Sequence, residues 1–144
     1  MQNIAIILAL LLVPYLALIP VQVAEPIRTR IGIFAVFVFT SIGHFVKTEA
    51  MSRMLSPRIP MRIPLIYVTG VFELVAGIAI LIPSLSRSAG VVLCLFLVAV
   101  LPSNIYAAFQ RVDFGGHGMG PKYLFIRVPL QLFLIGWIYW FVVT

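Results

Sequence analysis

Charged side chains are scarce in this chain: four acidic and ten basic residues among 144, or 10%. A water-soluble domain carries about 25% charged residues. With 62% of positions hydrophobic, a soluble core of this length has no room for so much apolar surface, so the solvent is a lipid bilayer. The length allows one domain. Cysteine is nearly absent. Cys94 stands alone, which rules out an intramolecular disulfide, a CxxC pair and a self-contained thiol–disulfide enzyme; it reads as a small buried hydrophobe. The two histidines, His44 and His117, make no HxxxH pattern and have no cysteine cluster to join, so no metal centre is expected. The net charge of +6 is no nucleic-acid footprint, because the basic residues are dispersed between apolar runs, as in loops at anionic headgroups.

Five apolar runs stand out, at 4–24, 31–46, 63–82, 89–109 and 123–143. A chain crossing lipid must satisfy its backbone groups internally, and no short polar–apolar alternation suggests a barrel. The expected fold is an all-α membrane protein: a four-helix transmembrane bundle over 25–144, preceded by a hydrophobic helix over 1–24. That first segment also loosely resembles a secretory signal, with Val21-Gln22-Val23-Ala24 as the cleavage site. Against this, Met1-Gln2-Asn3 carries no basic side chain and the run exceeds the usual signal core. Pro14 and Pro20 predict a kink or early end to the helix. The second run would span only about 24 Å as a helix, short for a bilayer core of about 30 Å.

Five crossings put the termini on opposite sides. The side holding Met1 and the loops 47–62 and 110–122 has seven basic residues, counting Arg127; the other has Arg28, Arg30 and Arg87. The positive-inside rule then predicts a multi-pass protein of the cell membrane (the inner membrane, in a bacterium), N-terminus in and C-terminus out. In the first of those loops Ala50, Met51, Met54 and Leu55 form one apolar stripe of a short helix. It is either an ordinary amphipathic connector or a lid over a bundle mouth.

The residue that asks most of the bilayer is Glu73, in the middle of the third run. An acidic group at that depth costs about 2.5–3.5 kcal/mol on insertion scales, and the default reading is a functional site. Gly70, Glu73 and Gly77 share a helix face at i, i+3, i+7, so small residues draw a neighbouring helix towards the carboxylate. Arg127, about one turn into the fifth run, is the expected partner, although the depths differ by about 9 Å. Gln131 follows on its face. His44 ends the second run on a polar stripe with Thr40 and Ser41, and suits proton transfer or contact with a quinone. Asn104 follows Pro102 and Ser103; it either repairs the proline kink or joins Glu73 and Gln131 around a ligand. His44, Glu73, Asn104, Arg127 and Gln131 are therefore the candidate ligand-binding or proton-carrying set, expected to line one cavity. Each has a structural alternative, as a helix clasp or a headgroup contact. The glycine-rich stretch 115–120 lacks the features of a phosphate loop and reads as a flexible turn. Trp137, Tyr139 and Trp140 read as an interfacial aromatic belt.

Several short pieces occur in a telling order: Ile42-Gly43-His44-Phe45; Ile59-Pro60; Tyr67-Val68-Thr69-Gly70-Val71-Phe72-Glu73-Leu74; Leu101-Pro102-Ser103-Asn104-Ile105-Tyr106; Ile126-Arg127-Val128-Pro129-Leu130-Gln131; and Trp137-Ile138-Tyr139-Trp140. Over about 31–142 this set resembles the DoxX-like family of small bacterial membrane proteins. The resemblance implies a compact four-helix membrane bundle, linked to respiratory or sulfur redox systems and in some members set beside a quinone-reducing partner. It marks the same five polar positions. No catalytic residue follows from it.

Three functions stay open at this point. The first is an accessory subunit of a redox or quinone-linked system, with quinone as a non-covalent ligand and a redox partner protein or a second copy beside it. The sequence holds no cofactor motif of its own, so electrons would pass through a diffusible quinone or a partner's cofactor. The second is a lipid-facing isomerase-type enzyme that shuttles protons. The third is a structural or assembly factor without a ligand.

Overall fold

The computed structural model describes residues 2–144. The chain is all-α, with no strand among the described residues. In order it forms α1 (Gln2–Ala17), α2 (Glu25–Val46), α3 (Thr48–Ser52), α4 (Arg62–Leu81), α5 (Pro83–Phe109), a 3-10 segment (His117–Tyr123), α6 (Leu124–Ile138) and a closing π turn (Tyr139–Val143). Four stretches are long and apolar enough to span a membrane: α2, α4, α5 and the continuous unit His117–Val143.

The apolar runs underread two helix starts. α2 has 22 residues because Glu25, Pro26, Arg28, Thr29 and Arg30 form its first turns. That length is about 33 Å, enough to cross the core, which corrects the short span expected from 31–46. Proline near the start explains it: its fixed φ suits a first helical turn, and the N–H it lacks has no partner there anyway. Pro83 does the same for α5, six residues ahead of the apolar run. The first run behaves oppositely. α1 stops at Ala17, the chain turns through residues 18–22, and Gln22 takes a left-handed φ of 56°. Sixteen residues reach about 24 Å, shorter than the bilayer core.

The core joins Ile7 and Leu11 of α1, Ile33, Val36 and Phe37 of α2, Ile80 of α4, Leu93 of α5, and Leu134 and Ile138 of α6. Two close approaches set the geometry. A Cβ on Gly70 would meet the His44 Cβ at 2.7 Å, so α4 lies tight against α2. A Cβ on Gly32 would meet the Leu11 carbonyl oxygen at 2.6 Å, so α1 lies tight against α2 from the other side. The Gly70–Glu73–Gly77 face is buried, which turns the carboxylate into the bundle.

Candidate ligand-binding cavity

At the end of the bundle where α2 finishes and α4 begins, the helices part around a cavity of about 790 Å³. Its walls are mostly apolar, from Phe39, Ile42, Leu65, Phe96 and Val100 among others, with Ile4 and Ile7 of α1 closing one side. Met51, Met54, Leu55 and Ile59 also line it. Three residues of the stripe expected in the 47–62 linker thus face the cavity, with Ala50 outside the lining. The exposed face of this short helix is held by a 2.8 Å ion pair between Arg53 and Glu49.

Glu73 lies in this wall, 6% exposed. Its nearest cationic group is His44, whose Nε2 stands 3.5 Å from Oε2. This corrects the expectation that Arg127 would be its partner. The reason is steric: Gly70 lets α4 settle on α2 at His44, one turn from Glu73. His44 is oriented from behind. Its Nδ1 is 3.0 Å from the Ile66 carbonyl and 3.1 Å from Thr69 Oγ1. Thr69 donates to the carbonyls of Leu65 and Ile66, and Ser41 donates to Gly70 O at 2.8 Å. A carbonyl only accepts, so Nδ1 carries a proton. Nε2 is thereby turned towards the carboxylate. The separation is long for a hydrogen bond, and Oε2 has no closer partner.

Arg127 also lines the cavity. It forms no ion pair with Glu73 within 4.0 Å, and its buried Nε has no hydrogen-bond partner among the described residues. It therefore presents a guanidinium to the cavity from α6 while the His44–Glu73 pair faces in from α2 and α4. Asn104 is 4% exposed and lines the cavity near Pro102 of α5. Its Nδ2 donates to Val100 O at 3.2 Å and to Gln131 Oε1 at 3.4 Å.

Gln131 departs from the expected arrangement. It is buried and absent from the cavity wall. Its Nε2 donates to the Leu97 carbonyl, one turn before Pro102. It ties α6 to α5 where proline weakens the helix, so it supports the site from outside. Four of the five expected residues share the cavity; the fifth braces it through Asn104.

Two lining residues escaped the sequence reading. His117 and Tyr123 are 3% and 2% exposed and pack edge to face at 4.8 Å. The glycine-rich stretch is a wall rather than an open turn. Gly115, Gly116 and Gly120 hold positive φ, and a Cβ on Gly116 would strike the Tyr123 ring at 2.5 Å. Four glycines around one histidine were a readable sign of close approach. The C-terminal aromatics also divide. Trp140 is 71% exposed, as an interfacial belt residue should be, while Trp137 packs on Tyr15, Phe133 and Phe141.

Neither a curated protein nor a solved structure matches the chain. One family does, over residues 33–142, a stretch that holds His44, Glu73, Asn104 and Arg127 and leaves α1 outside. The chain belongs to the family described as Domain of unknown function (DUF8561).

Proposed function

We propose that this protein is a small membrane subunit that binds an amphiphile with an oxygen-bearing head, and that it serves a redox or quinone-linked system as an accessory component. One observation carries the reading: the His44–Glu73 pair and Arg127, whose Nε has no hydrogen-bond partner among the described residues, face a mostly apolar cavity within a bundle of apolar helices. A volume of about 790 Å³ falls in the usual range for small-molecule sites, about 300–1,000 Å³. The donors fit a quinone head. Arg127 would offer N–H groups to one carbonyl oxygen, and the His44–Glu73 pair would face the other. The apolar tail would run between Met51, Met54 and Phe96. A bound quinone would supply two-electron, two-proton chemistry. The residues of this chain would orient its head, exclude water and hold a proton at His44 Nε2 or Glu73. Electrons would come from a partner protein's cofactor.

The DoxX-like resemblance supports the same reading. The basic loops 47–62 and 110–122 favour a cytoplasmic cavity mouth in a cell-membrane protein. A purely structural role is favoured by one feature, the Gln131–Asn104 brace beside Pro102 of α5.

Mass spectrometry of small molecules co-purified in mild detergent separates the two. A quinone retained by wild type and missing from folded Glu73→Gln is the expected result. No specific ligand in either, with the variant only less stable, would establish the structural role instead.

A further inference from the structure

At the opposite end of the bundle three buried nitrogens lack hydrogen-bond partners among the described residues: Arg28 Nε, Arg30 Nε and Trp137 Nε1. All three are donors. The nearby carboxylate, Glu25, accepts from Thr29 Oγ1 at 3.3 Å and makes no ion pair within 4.0 Å with either arginine. Two of the three meet around a single ring. The Arg28 guanidinium lies over the face of Tyr15 at 5.0 Å, and Trp137 meets the same ring edge to face at 5.3 Å. Arg30 is set about 200° round α2 from Arg28 and belongs to another face.

The position matters as much as the chemistry. Arg28 is in the first turn of α2 and Tyr15 in the last turn of α1. Arg28 therefore sits where the spanning helix α2 meets the headgroup layer, and Tyr15, packed against it, shares that level. The seam between α1 and α6 is filled there by aromatic side chains, with the Arg28 cation and the Trp137 indole both against Tyr15. What such a place lacks is an acceptor-rich anion. A phosphate has several acceptor oxygens for a guanidinium fork and an indole donor, and aromatic rings with arginine are suited to that depth.

We infer that Arg28 and Trp137, arranged around Tyr15, form a phosphate site for a membrane phospholipid in the α1–α6 seam, at the end of the bundle away from the cavity. This site is independent of the cavity and of what the cavity binds.

The test uses the full chain with Trp140→Phe, so that Trp137 is the only indole, in a neutral maltoside detergent. Phosphatidylglycerol is titrated while Trp137 fluorescence is read, with diacylglycerol as the phosphate-free control. Saturable change with phosphatidylglycerol alone is expected, and Arg28→Gln should weaken it about tenfold, the loss of one charge-assisted contact. Arg87→Gln removes an exposed charge near the same end and should leave the titration unchanged. Arg28→Lys, which keeps charge and loses the fork, should fall between and guards against a folding defect in Arg28→Gln. Inorganic phosphate is the second probe. If it displaces the lipid at millimolar concentration, the site reads phosphate from solution; if not, it reads the lipid. Equal response to diacylglycerol, or equal loss in the Arg28 and Arg87 variants, overturns the inference.

Discussion

Arg127 is the residue whose placement most needs an explanation: it is half-buried, and its Nε has no hydrogen-bond partner among the described residues while Glu73 faces His44. An isolated cation at membrane depth opposes folding, and an apolar residue of similar length usually relieves that burden. Arg127→Met should therefore stabilise the ligand-free protein by about 1–3 kcal/mol while abolishing retention of the co-purified ligand. Thermal unfolding in detergent reads the first effect, and mass spectrometry the second. A destabilised variant would show that Arg127 is a structural member of the bundle. At this scale the sequence was informative where energy alone decides. Glu73 and His44 stand out because lipid penalises them wherever they lie. Their pairing was not legible, since it depends on Gly70 bringing α4 onto α2 at one particular turn.

Helix α1 shows how one close approach can set where an element lies. Glycine in a helix interior is ordinarily about 1 kcal/mol worse than alanine, so Gly32→Ala would stabilise an exposed helix. Here the new methyl would sit 2.6 Å from the Leu11 carbonyl oxygen, and backbone cannot move aside as a side chain can. The clash should win, costing about 1–3 kcal/mol and loosening α1 alone. Hydrogen exchange would show faster exchange across Gln2–Ala17 with α4 and α5 unchanged; uniform protection would disprove the contact's importance. Element type was readable from apolar run length, because a bilayer imposes it. Element limits were less so. Hydropathy ignores the polar first turns of α2 and α5, and Pro26 and Pro83 were the better markers. The glycine-rich wall was misread as flexible because composition does not reveal that Tyr123 fills the space the missing side chains leave.

For the whole molecule, the all-α membrane class followed from composition, since few charges and many apolar residues admit few alternatives. A shared cavity was expected from the buried polar residues; its size and its α1 wall were not, because they arise from helices that part at one end, and no local pattern encodes that. A ligand that occupies the cavity must stabilise the folded bundle by mass action. At one hundred times its dissociation constant the gain is about 2.7 kcal/mol, seen as an unfolding midpoint that rises with ligand concentration. A midpoint indifferent to a quinone of matching length would speak against the cavity as its site. The arrangement of the walls has one more consequence. The titratable groups and most of the apolar walls lie within the stretch shared with the family, whereas Asn3, Ile4 and Ile7 of α1 lie before it. One wall of the cavity is thus carried by a part of the chain outside that stretch. Substitutions in α1 can change which molecules fit while His44, Glu73 and Arg127 stay in place, so selectivity can evolve without disturbing the polar groups.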